Sequence, residues 1–126
     1  MENLTSEQVK DLADNLLRMT NALGDFRYEH FQHLSEEENM RLKELHSQQL
    51  EFTTEVYTRA ALLVMTDAKG SLEQINTITK ETQRLYKNLN DVQKVLERAS
   101  AVLTLASAII SLDTKGIANS INGLLM

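Results

Sequence analysis

The chemistry this chain could offer is concentrated in its three histidines and the carboxylates beside them. His30 and His33 lie three residues apart between Glu29 and Glu37, and His46 follows on a later segment. Imidazoles and carboxylates at helical spacing are metal donors when several helices aim them at one point. Di-metal carboxylate bundles do this with Glu-x-x-His pairs. Such pairs are missing here, with glutamine at positions 32 and 49. The expected reading is a solvated polar turn with no bound metal.

A second set is cationic. Lys80, Arg84, Lys87, Lys94 and Arg98 recur along one helical face, interrupted by Glu81, Asp91 and Glu97. This pattern predicts a solvated face with intrahelical pairs, or else a surface that meets the acidic first half of a second copy. The charge is uneven: residues 1–67 carry 13 acidic and 6 basic side chains, net −7, and the rest carry 5 and 7, net +2. A net charge of −5 excludes general phosphate-backbone binding, which needs clustered Lys and Arg.

Other chemistries lack their residues. Cysteine is absent, which removes thiolate catalysis, disulfides and thiolate zinc sites together. No Gly-rich phosphate loop and no serine elbow occurs. With no Trp and 5% aromatic residues, stacking platforms for bases or sugars are not expected. The chain therefore reads as a non-enzyme without a cofactor.

The elements that carry these residues are helical. There is no proline and there are only four glycines in 126 residues, too little turn punctuation for a β-sandwich or barrel. Thr5 and Gln8 form a capping box ahead of Val9, Leu12, Leu16, Met19, Leu23 and Phe26, whose heptad-like spacing continues through Gly24. Ser35 and Glu38 form another, with Glu36 and Glu37 in the positive first turn. The apolar register shifts there, so a tight reversal is expected near Leu34–Ser35. The second helix is expected to run to about Ala68, where Lys69 and Gly70 stop it and Ser71-Leu72-Glu73-Gln74 starts the next.

From 72 to 112, small or apolar residues recur in steps of three and four: Ile75, Ile78, Thr82, Leu85, Leu89, Val92, Leu96, Ala99, Leu103, Ala106 and Ile110. This spacing predicts one continuous third helix of roughly 40 residues, ~60 Å long. Asp113-Thr114-Lys115-Gly116 breaks the pattern, and a short last helix follows. The expected fold is all-α: one elongated, coiled-coil-like antiparallel bundle of three long helices and a short fourth. Residues 1–98 form its amphipathic body and 99–126 an apolar C-terminal end.

A third helix of that length outruns its partners by about two turns. The overhang falls where Val95, Val102 and Ile109 widen the stripe, so cover is expected from outside. The expected interaction residues are Val95, Ala99, Val102, Leu103, Leu105, Ala106, Ile109, Ile110, Leu112, Ile117, Ile121, Leu124 and Leu125. The function this implies is a protein–protein interaction or oligomerisation module, with a protein partner or a second copy as its target. The alternative is a membrane-active protein that inserts the hairpin of residues 99–126, as a pore-forming toxin subunit would. The start, Met-Glu-Asn-Leu-Thr, is not a signal peptide, so a cytoplasmic location is expected, with leaderless export left open.

Overall fold

The computed structural model describes residues 2–88 and 91–126. Five helices carry the fold: α1 (Ser6–His30), α2 (Glu36–Thr58), α3 (Ala68–Asn88), α4 (Val92–Ile110) and α5 (Thr114–Leu125). A two-residue antiparallel pairing joins β1 (Glu2–Asn3) to β2 (Val64–Met65).

The capping boxes at Thr5 and Ser35 form, and the start expected at Ser71 does not, because α3 already begins at Ala68 with Asp67 accepting from the Gly70 amide. Thr5 accepts from the Gln8 amide while the Gln8 side chain accepts from the Thr5 amide, and Ser35 and Glu38 do the same at the start of α2. Between the two helices a single 3-10 turn, Phe31–His33, reverses the chain. Gly24 lies inside an unbroken α1, where a Cβ would meet the His46 ring at 3.0 Å. The glycine admits α2 against the α1 backbone at that point.

Two expectations about the later chain are corrected. The second helix ends at Thr58 rather than near Ala68, and residues 59–67 form a 3-10 turn and the short β2. Leu63 and Met65 bury their side chains from this extended run, and the Leu4 amide donates to the Leu63 carbonyl at 2.9 Å. The linker is apolar because it closes the bottom of the core.

The third helix is two helices. Arg98 on α4 donates to Thr82 and to the Ile78 carbonyl on α3. Residues 16 or 20 apart on one straight helix lie more than ~20 Å apart, so these bonds require an antiparallel reversal. Asp91 caps the new helix, accepting from the amides of Gln93 and Lys94. Leu89, placed in the expected stripe, lies outside the described residues.

The chain thus runs up α1, down α2, up α3 and down α4. Helix α1 packs between α2 and α3, α2 also meets α4, and α5 rises between α4 and α3. Its Ile117, Ile121 and Leu124 enter a core with Ile75, Ile78, Val102, Leu105 and Ile109. A smaller apolar cluster at the opposite end joins Leu23, Phe26, Leu42, Leu45, Tyr86, Val95 and Ala99. Gln49 donates to the Ala99 carbonyl at 3.0 Å, and Thr20 donates to the Leu16 carbonyl within reach of the Gln49 carbonyl oxygen. Hydrogen bonding of this kind lets polar side chains stay buried at little cost.

The turn into α5 has the bonding of a Schellman motif. The Asp113 amide donates to the Ala108 carbonyl and the Leu112 amide to that of Ile109. Leu112 occupies the left-handed position at φ 60°, where glycine is the usual residue.

Candidate functional site

The expected site at the C-terminal end is largely interior. Val95, Ala99, Val102, Leu105, Ala106, Ile109, Ile117, Ile121 and Leu124 are all buried by the chain's own helices. Leu103 and Ile110 are half-buried, and Leu112 and Leu125 are exposed at their edges. The overhang that made outside cover necessary is absent, because α4 runs antiparallel to α3 and lies beside α2, and α5 covers its other flank. Half-buried Leu103, Ala108 and Phe52 leave a shallow cleft of about 460 Å³ with Thr104, Ser107 and Ser120.

The cationic row is also divided. Lys80, Arg84, Lys87 and Lys94 are exposed, but Arg98 is half-buried and turned inward. Besides its two bonds to α3, it donates from Nη1 to the Leu124 carbonyl at 2.9 Å, at the C-terminal end of α5. A guanidinium there satisfies orphan carbonyls and opposes the negative end of the helix dipole. Burial lowers its proton affinity, offset by nearby Tyr86 and Glu81. Burial pushes the Tyr86 phenol well above its usual range, with Arg98 working against the shift.

The most exposed aromatic surface lies at the α1–α2 hairpin tip, which the periodicity did not single out. Tyr28, in the last turn of α1, is 86% exposed, and Phe31, at the start of the 3-10 turn, is 54% exposed. The Arg27 guanidinium sits 5.8 Å from the centre of the Phe31 ring and donates from Nε to Asn39 at 2.7 Å. Beneath them, the buried Phe26 ring stacks on His30 at 4.2 Å and meets Tyr86 at 6.3 Å. Gly24, Arg27, Tyr28, Phe31, His33 and His46 line an open cleft of about 830 Å³.

No family model, no curated protein and no solved structure matches this chain.

His30 places Nδ1 3.0 Å from the Phe26 carbonyl and packs its ring on Phe26, while His46 lies over Gly24. Among the described residues, no three His, Asp or Glu side chains are grouped as a metal ion requires. Glu29 lines the cleft with Arg27, and Glu36, Glu37 and Glu44 share a second surface, on α2 around Met40, with Arg41 and Lys43; Met40 is 64% exposed. Exposed aromatic side chains in a cleft of mixed charge can bury a ring or aliphatic chain.

The signal for this site was composition at a turn. Tyr28 and Phe31 follow Phe26 too closely to share its buried stripe, so at least part of the cluster must face water.

Proposed function

We propose that this chain is a non-enzymatic helical interaction module that docks a basic, apolar segment of another protein at its α1–α2 tip. The observation that carries the reading is the exposure of Tyr28 and Phe31 on one side of a formed cleft. Covering such side chains releases roughly 1.5–3 kcal/mol each when burial is complete. Tyr and Arg are also the residue types on which binding energy concentrates. Across the cleft and the neighbouring α2 surface, Glu29, Glu36, Glu37 and Glu44 stand against Arg27, Arg41 and Lys43, and this small negative excess favours the approach of a partner bearing Lys or Arg more than it tightens the complex.

The test is a paired capture. Wild-type protein and a Tyr28→Ala, Phe31→Ala double variant are presented to the same extract and any retained protein is titrated. Both side chains project into solvent, so the variant should melt close to wild type. The reading expects a partner whose affinity falls at least thirtyfold, about 2 kcal/mol. Equal retention by both proteins contradicts it.

A second reading has support from the α4–α5 hairpin. From residue 99 onward the charged side chains are Asp113 and Lys115, both at its turn. A polar tip between apolar arms suits insertion into a lipid surface. No helix among the described residues is long and apolar enough to cross a membrane, so insertion would be partial. Flotation with anionic vesicles at neutral and acid pH separates the readings. Lipid-bound protein favours the second, and protein left at the bottom of the gradient removes it.

A further inference from the structure

We propose that α5 exchanges between two copies of this chain, with α4 and α5 straightening into one helix whose end docks between α3 and α4 of the other copy. The occupant of that groove is already identified, because α5 fills it in the closed chain. Ile117, Ile121 and Leu124 supply the apolar face, and the Leu124 carbonyl supplies the acceptor for Arg98. A second copy's α5 brings the same face and the same acceptor.

The hinge is built for the change. Residues 111–113 are all that separate α4 from α5, and Leu112 holds a left-handed conformation that side chains rarely adopt. Continuing the helix through this point returns Leu112 to ordinary helical angles. Short strained hinges are the usual setting for such exchange.

Sequence phase agrees. At 100° per residue, Val95, Ala99, Val102, Ile109, Ile117, Ile121 and Leu124 all fall within about 60° of Ala106. One helix from 92 to 125 therefore gathers these apolar residues on one face, where Asp113 and Ser120 are the polar interruptions, and no proline breaks it. Straightened, α5 extends about 20 Å past the end of α4, out of reach of its own groove. A copy related by a two-fold axis can offer its groove there. Helix α5 is also the least anchored, with three buried side chains against nine on α1. This inference stands on the α4–α5 hinge and does not depend on the aromatic tip, so either can fail alone.

The chain lacks cysteine, so a reporter pair is simple to install. Thr77 on α3 and Leu125 on α5 line one small cleft and are both exposed. The full chain carrying T77C and L125C is concentrated to millimolar levels after a brief pulse of guanidinium. Monomer and dimer are separated, joined with a short bismaleimide and run on a denaturing gel. The expected dimer is linked between chains, and the monomer within one chain.

Two hinge variants set the direction. Leu112→Gly relaxes the closed turn and should weaken dimerisation roughly thirtyfold, about 2 kcal/mol over two hinges. In Gly116→Ala, the added Cβ meets the Asp113 carboxylate that caps α5 in the closed form. It also favours a continuous helix, so its dimer fraction should rise. A Gly116→Ala protein that stays monomeric at millimolar concentration overturns the proposal. A dimer with every cross-link inside one chain also overturns it.

Discussion

Arg98 and Leu124 are joined by one hydrogen bond of 2.9 Å that ties the middle of α4 to the last turn of α5. The same guanidinium reaches Thr82 and the Ile78 carbonyl, so one side chain holds three helices in register. Arg98→Met keeps most of the apolar stem and removes every donor. The expected loss in guanidinium unfolding is about 1–3 kcal/mol, because it leaves half-buried acceptors unpaired. Arg98→Lys should recover only part of it, since an ammonium cannot span the fork.

The Gly24 and His46 pair predicts a non-additive double variant. Alanine at position 24 gains helix propensity of about 1 kcal/mol and meets the His46 ring. Gly24→Ala alone should be close to neutral in thermal unfolding. In a His46→Ala background the same change should stabilise by about 1 kcal/mol, as the clash is gone.

Leu112 should respond to glycine in the opposite way from an ordinary helix position. Left-handed backbone costs a side-chain-bearing residue roughly 1–2 kcal/mol, and glycine's greater freedom when unfolded offsets part of that. Leu112→Gly is expected to raise the melting temperature of the monomer by about 2–4 °C. Calorimetry at low concentration checks this.

Tyr86 predicts an alkaline limit to stability. Its phenol is raised above the ordinary value of 10.0, chiefly by burial, so the unfolded chain gives up this proton first as pH rises. The unfolded state then binds fewer protons than the folded one, and stability falls with pH. The contribution is complete below pH 10 and declines above it. Tyr86→Phe should flatten the stability profile above pH 10 while leaving its neutral-pH shape unchanged.

The starts of α1 and α2 were legible in the sequence because caps are local, whereas α3 begins at Ala68, ahead of the expected Ser71. Thr5 with Gln8 and Ser35 with Glu38 fix α1 and α2 through bonds three residues long. The reversal between α3 and α4 was hidden for a physical reason. A hairpin whose two arms face one core keeps the three-and-four spacing of a single helix, so periodicity cannot distinguish them. The available signal was chemical: Asn88, Asn90 and Asp91 crowd a stop and a cap into four residues. A single helix over this span would overhang its partners and leave Val102, Leu105 and Ile109 for outside cover, whereas in the fold they are core. The end of α2 was obscured likewise, because Leu63 and Met65 bury themselves from extended backbone. The aromatic tip was not legible from the stripe, which made Tyr28 and Phe31 core or rim aromatics, although both stand out of phase with Phe26.

The central claim is a bundle closed by its own last helix, with α5 the part that opens. Native-state hydrogen exchange on the monomer tests it most directly. The amides of Ile117, Ile121 and Leu124 should exchange together through an opening that leaves Leu23 and Leu45 protected, and Leu112→Gly should slow that opening. Exchange of α5 only at the rate of global unfolding, together with the α1 and α2 core, would contradict it.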